Sequence, residues 1–246
     1  RNGGYRNVTS TIASASSRKD LLDRTSPLPA YQQISNDIIL RISQKEWNIE
    51  DKLPTEAELV ETLGVGRNTV REALRILMSR NIVTIRQGSG TFISDKNGVA
   101  DDPLGFFMMD DRRQLTEDLL QARLILEPAL AALAAQNGSE EEIKELEYIL
   151  KELEGLIRDK KDYSEKDSQF HAQIATCSHN RVMTNLIPVI TEGVRVFADS
   201  VEETEYEQTL LSHRRIFEAI RDGRGEDARQ EMYFHLMYNH NRYRKE

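Results

Sequence analysis

The sequence predicts a mainly α-helical protein in two parts. A small N-terminal unit of three helices is closed by a two-stranded wing, and a C-terminal all-α bundle of six or seven helices follows. Three observations predict this. Residues 53 to 93 read LPTEAELVETLGVGRNTVREALRILMSRNIVTIRQGSGTFI, two short helices around a glycine turn and then two strands around a glycine tip. From Gln114 onward, apolar residues recur only at three- and four-residue steps. The 246 residues are enough for two hydrophobic cores.

Taken in order, residues 1–28 are rich in Ser, Asn, Gly and Thr and read as a flexible arm. Tyr31 to Lys45 is an amphipathic helix with Ile34, Ile38, Ile39 and Ile42 inward. Thr55 and Glu58 after Pro54 form a capping box that starts the second helix, with Leu59 and Leu63 on one face. Gly64 ends it, because glycine accepts the left-handed backbone of a C-terminal cap. Gly66 caps the third helix, where Val70, Ala73, Leu74 and Leu77 line an apolar stripe. Ile82 to Arg86 and Thr91 to Ser94 read as strands, with Gly88, Ser89 and Gly90 as a slim tip. The winged helix-turn-helix is expected over residues 29–95, a linker over 96–112 that includes the polar run SDKNGVADDP, and the helical domain over 113–246. In that domain LLQARLILEPALAALAA, EEIKELEYILKELEGLI and DARQEMYFHLMYNH are helical runs, punctuated by Asn137-Gly138, Asp222-Gly223 and Gly225. No βαβ pattern or glycine-rich phosphate loop is present, so no nucleotide site is expected.

This outline is built to place one helix in a DNA major groove. Arg67, Asn68, Arg71 and Arg75 fall off the apolar stripe of the third helix. Arginine suits two-pronged contacts to guanine and phosphate, and Asn68 suits adenine or phosphate. The alternative is an ordinary solvated face. Charge supports the first reading. The chain has a net charge of −8, but residues 1–96 hold 14 Lys and Arg against 11 Asp and Glu, a balance of +3. The remaining 19 basic and 30 acidic residues give −11, so the basic balance sits with the winged segment. The one cysteine, Cys177, excludes an intramolecular disulfide and fits a reducing cytoplasm. No apolar run reaches the length of a membrane span, and the first residues do not read as a signal peptide.

A second constellation lies in the helical half. Asp167 and His171 are four apart and stack on one helix face. His213 is in register with Ile216 and Ile220, and His235 lies on a largely apolar face. Three imidazoles and a carboxylate converging inside a bundle form a metal site suited to zinc, nickel, manganese or iron. A single inward histidine, however, is more often a hydrogen-bonded core residue than a ligand. Arg123 either faces a pocket and grips a carboxylate, or pairs with Glu127 one turn on. His179 and His240 are not assigned to the metal.

The segments LPTEAEL, GVGRNTVREAL and RQGSGTF resemble the winged domain of the GntR family of bacterial transcription regulators, and residues 30 to about 243 follow its FadR-like subgroup with an FCD domain. The resemblance implies DNA contacts from Arg67, Asn68, Thr69, Arg71 and Arg75, and from a wing of Gly88, Ser89, Gly90 and Thr91 entering the minor groove. Two positions depart from the pattern: Ala57 stands where the family often has Arg, and Gly66 where it favours Ser or Thr. The FCD pattern DxxFHxxI followed by two later histidines maps onto Asp167, His171, His213 and His235, with Phe170 and Ile174 in place. It implies a divalent metal, zinc foremost, and a small organic or sugar acid bound by the metal and Arg123, with Arg195 and Asn239 also at the pocket. The expected protein is a cytoplasmic, homodimeric, metabolite-responsive repressor of double-stranded operator DNA. The alternatives are a metal-dependent enzyme with a DNA-binding appendage, or a regulator with a purely structural metal.

Overall fold

The computed structural model describes residues 22–23, 25–96, 98–100, 102–197 and 206–243. Most of the arm expected over residues 1–28 lies outside them. The chain divides into two compact units between residues 101 and 102.

The first unit contains α1 (Ala30–Ser43), α2 (Glu56–Leu63), α3 (Arg67–Ser79), β1 (Val83–Arg86) and β2 (Gly90–Ile93). The Thr55–Glu58 capping box forms: the Thr55 amide donates to Glu58 Oε2 at 2.7 Å, and the Glu58 amide donates to Thr55 Oγ1 at 3.3 Å. Gly64 closes α2 in the left-handed region at φ 65°. Gly66 begins α3 without any side-chain hydrogen bond, as a residue lacking a hydroxyl must. Val70, Ala73, Leu74 and Leu77 are all buried, and with Ile34, Ile38, Leu53, Leu59, Val83 and Ile93 they make one core. Each large side chain there contributes roughly 1.5–3 kcal/mol by leaving water. Ile39, Ile42 and Leu63 pack only partly buried at its margin.

Several element ends differ from expectation. The first helix stops at Ser43 because Lys45 turns left-handed, at φ 61°. Ile82 lies outside β1, since its amide donates to Leu77 O and finishes α3. Gly90 belongs to β2 rather than to the tip, paired with Arg86 in the antiparallel register that runs to Val83–Ile93. Residues 51–53 run beside β2, with Leu53 N–H donating to Thr91 O at 2.8 Å and Ile93 N–H to Asp51 O at 2.9 Å.

The second unit has a short 3-10 turn at Phe106–Met108 and, among the described residues, six helices. These are α4 (Arg112–Asn137), α5 (Glu140–Arg158), α6 (Ser164–Cys177), α7 (Arg181–Phe197), α8 (Tyr206–Arg221) and α9 (Gly225–Tyr243). The long α4 packs against α6, α7, α8 and α9. Leu146 and Leu153 of α5, Phe170 and Ile174 of α6, Ile216 and Ile220 of α8, and Met232 and Leu236 of α9 fill the main core. Phe106, from the stretch expected as linker, is buried against Leu119 and Ile190 in a second cluster. No helix among the described residues is long and apolar enough to cross a membrane.

Candidate metal centre and nucleic-acid interface

Three helices meet at Asp167, His171, His213 and His235. α6 carries Asp167 and His171 one turn apart, α8 carries His213, and α9 carries His235. One ligand atom from each lies within 4.8 Å of all the others. His171, His213 and His235 are 1, 0 and 4 % exposed, so bulk solvent does not reach their ring nitrogens. Phe170 packs edge-on against His213 at 5.0 Å between ring centres and forms the apolar floor.

The hydrogen bonds decide which nitrogens face inward. His213 Nδ1 contacts the Thr209 carbonyl at 2.8 Å, an acceptor, so Nδ1 carries the proton and Nε2 is left as a lone pair. Ser212 Oγ donates to the same carbonyl at 2.9 Å, so it accepts from His235 Nδ1, also 2.9 Å away, and His235 Nε2 is bare as well. Glu127 Oε2 lies 2.5 Å from His171 Nδ1, close but not aligned as a hydrogen bond, so the third ring is assigned only by its nearness to an acceptor-only carboxylate. Two of the three inward nitrogens remain unmet, while His235 Nε2 has Asn239 Nδ2 at 3.4 Å. His171 Nε2 and His213 Nε2 are buried without a hydrogen-bond partner. His213 Nε2 sits 2.9 Å from Asp167 Oδ1 yet makes no hydrogen bond with it. Lone pairs facing a carboxylate repel unless a positive centre or a donor stands between them, and here only the Asp167 edge of the site is partly open to solvent. The donor set of three imidazoles and one carboxylate therefore fits a divalent cation.

Local electrostatics agree. Burial pushes the Asp167 carboxyl upward, but positive charge around it, from His213 and His171 whenever those rings hold a second proton and from Arg123, outweighs it and holds it well below the usual carboxylate range. Burial, reinforced by His213 and His171, drives His235 well below its ordinary value and keeps it neutral. Asp167 is thus an anion and His235 a neutral donor, the forms that bind a metal.

Arg123 is 4 % exposed, and its Nε donates to Glu127 Oε1 at 2.5 Å. The pairing that was one of its two sequence readings exists, yet Arg123 Nη2 is buried without a partner. Burial pushes Glu127 up, but Arg123 and His171 bring it down to about 2, so it is ionised. Asn239 lies on α9 with Nδ2 3.4 Å from His235 Nε2. Arg195 is set apart, on the exposed face of α7 and held by Glu192 at 2.5 and 2.7 Å. His179 is at the α6–α7 junction with φ 56° and contacts Glu142 at 2.8 Å, while His240 is buried on α9. The sequence reading missed the roles of Thr209 and Ser212, one turn or less before His213 and opposite His235. Their only sequence signal is that spacing.

In the first unit Arg67, Asn68, Arg71 and Arg75 lie exposed on α3, opposite its buried stripe, and Thr69 is half-buried. Glu56 of α2 holds Arg71 Nε at 2.9 Å, and Glu72 holds Arg75 at 3.5 Å. Both pairs are open to solvent and worth roughly 0–1 kcal/mol, so they bind these arginines only weakly. At the wing, Gly88 (φ 74°) and Ser89 are exposed, and Gly90 and Thr91 are half-buried. A side chain at Gly90 would meet Lys52 Cε at 2.7 Å, on top of its left-sided φ of 121°. Lys52 and Arg86, whose guanidinium lies over Phe92, bring two cations to the wing that the sequence reading passed over.

Known proteins resemble this chain in both units. Residues 118–237 match the FCD domain, and residues 30–93 match the bacterial regulatory proteins of the gntR family. The chain is similar to the galactonate operon transcriptional repressor of Escherichia coli (strain K12), 29% identical over 185 residues that cover 72% of this chain and 81% of that protein. It is similar to the Uxu operon regulator of Haemophilus influenzae, 30% identical over 218 residues that cover 84% of this chain and 79% of that protein. Among solved structures, Streptococcus agalactiae GntR superposes with a TM-score of 0.74 at 36% identity, covering 86% of this chain and 99% of that one.

Proposed function

The chain belongs to the GntR family of bacterial regulatory proteins and carries an FCD domain, and from that premise we propose that a divalent metal and a small organic or sugar acid, bound together in the bundle, set its grip on operator DNA. Membership makes it a DNA-binding transcription regulator and not an enzyme, which removes the enzymatic alternative. Asp167, His171, His213 and His235 would hold the metal. One observation carries this reading: two buried imidazole nitrogens, His171 Nε2 and His213 Nε2, stand without partners beside an ionised carboxylate. Zinc suits the donor set first, with nickel, manganese and iron as alternatives. When bound, the metal supplies a positive charge with open positions for carboxylate or hydroxyl oxygens.

The free Nη2 of buried Arg123 would take a carboxylate oxygen, and Asn239 would hydrogen-bond the same ligand. One relative is named for a galactonate operon, which points to this ligand class. On DNA, Arg67, Asn68, Thr69, Arg71 and Arg75 would read the major groove, and Gly88 to Thr91 would enter the minor groove. Two copies as a cytoplasmic homodimer would read a pseudo-palindrome as a repressor, with affinity falling steeply as salt rises.

The test is a thermal-melt screen of metal-loaded protein against small carboxylic and sugar acids. A ligand at a hundred times its dissociation constant stabilises by about 2.7 kcal/mol. A hit that vanishes on chelation and in Arg123→Ala supports the pocket. A blank screen with strong destabilisation by chelator means a structural metal and defeats the acid.

A further inference from the structure

One buried side chain touches both the candidate ligand set and the candidate effector arginine. Glu127 on α4 is 2 % exposed. Its Oε1 accepts from Arg123 Nε at 2.5 Å, one turn back on the same helix. Its Oε2 reaches across to α6 and lies 2.5 Å from His171 Nδ1. If Glu127 only neutralised Arg123, both oxygens could have taken the guanidinium fork, the usual two-pronged geometry. Instead the fork is split. One oxygen is spent on Nε, Arg123 Nη2 is left buried and unpartnered, and the second oxygen lies against an imidazole nitrogen at 2.5 Å, where a small turn of the His171 ring would align the two as a hydrogen bond. Arg123 and Asp167 are also near enough for their charges to stabilise each other, so the arginine belongs to the same electrostatic site.

We propose that Glu127 is a positioning residue shared by metal and effector: Oε2 fixes His171 in the tautomer that bares Nε2 to the metal, and Oε1 fixes Arg123 with Nη2 free for the ligand's carboxylate. The inference rests on the metal reading above. Its chemistry is simple. An ionised carboxylate is an acceptor only, so a proton on His171 must lie at Nδ1. A histidine held in this way is a stronger and better oriented ligand, and loss of such a partner costs 10–100-fold in metal affinity.

The experiment uses the full chain, zinc alone as the probe, and two readouts: zinc affinity by competition with a chromophoric chelator, and the His171 tautomer from ring nitrogen shifts. Glu127→Gln has one acceptor oxygen left for two donors, and its amide N–H₂ opposes one of them. It should bind zinc about 10–100-fold more weakly and lose the Nδ1–H tautomer. Arg123→Lys keeps the charge beside Glu127 and the His171 contact, so it should hold zinc within about threefold of wild type. Zinc binding and tautomer unchanged in Glu127→Gln would overturn the proposal, and so would equal losses in both variants. If Glu127→Gln does not fold, the uncharged double variant Arg123→Met/Glu127→Gln replaces it with the same expectation. If the wild type binds no zinc, the metal reading fails separately. The tautomer then decides: an Nδ1–H that Glu127→Gln abolishes supports the positioning role, and one that it leaves in place refutes it.

Discussion

Removing His213 separates the two functions most sharply. The side chain is fully buried, its Nδ1 is tied to the Thr209 carbonyl, and its Nε2 is 2.9 Å from Asp167. Four-ligand structural zinc sites bind with roughly 10–16 kcal/mol, so one ligand in four carries roughly 3 kcal/mol, on the order of a hundredfold in affinity. Metal at a hundred times the wild-type dissociation constant stabilises wild type by about 2.7 kcal/mol, and the weakened variant by a few tenths. In a domain of this size 1 kcal/mol moves the melting midpoint by about 2–4 °C. Chelation should therefore lower the wild-type transition by about 5–10 °C and that of His213→Ala by about 1 °C. The variant also loses packing against Phe170, so each protein is compared only with itself, by calorimetry with and without chelator. With no acid present, its operator affinity should stay within about twofold at fixed salt, because the candidate reading helix lies in the other unit. Equal chelator shifts in both proteins, or full metal content in the variant, would refute the quartet.

Three further outcomes follow from the same geometry. Arg71→Ala should weaken operator binding by roughly 1–3 kcal/mol in a salt-controlled titration, since the exposed Glu56 pair it gives up is worth little; unchanged affinity would mean another surface reads DNA. Leu77→Ala, which empties a fully buried site between α1 and α3, should cost roughly 2–5 kcal/mol in urea unfolding of the N-terminal unit, and a loss under about 1 kcal/mol would contradict the packing. Burial, with the Glu142 charge, pushes the Cys177 thiol up to about 12, so at neutral pH it stays protonated. A thiol reagent should label it in denaturant but not in the folded protein, and rapid native labelling would show the helix ends around it to be open.

What could be read in advance was what depends on spacing within one element. The α3 stripe, the Thr55–Glu58 box and the Gly64 cap are local rules, and all three hold. The register of His213 with Ile216 and Ile220 likewise follows from one helical face, and all three are buried. Contacts between elements were harder to read. Nothing local indicates that Glu127 on α4 meets His171 on α6, because that contact exists only once two helices distant in sequence pack together. Glu127 was visible only as the residue one turn from Arg123. Ser212 was hidden too, since a serine beside a histidine says nothing of which histidine it will bind. Arg195 shows the same limit from the other side: an arginine in the right half of the chain tells nothing of the helix face it occupies, and here Glu192 pairs with it on an exposed face. Element ends slipped where single residues took left-handed backbone, as at Lys45.

Because the reading helix and the candidate ligand site lie in different units, the effector can act on DNA only through a difference in its affinity for two states of the protein. A ligand that binds both states equally changes nothing, however tightly it binds. Typical couplings of about 1–3 kcal/mol correspond to roughly 5–150-fold in operator affinity. Linkage makes this reciprocal: if the acid weakens operator binding by some factor, saturating operator DNA must weaken acid binding by the same factor. Both halves can be measured by titration on one metal-loaded preparation at one salt concentration, which matters because phosphate contacts make the DNA half salt-sensitive. Because the two factors must agree for any mechanism, disagreement only exposes a titration that has not reached equilibrium, and the size of the shared factor carries the information. A factor of one in both directions would mean that the acid does not bias the operator-binding state, and the effector would then have to be sought outside the Asp167–His171–His213–His235 pocket.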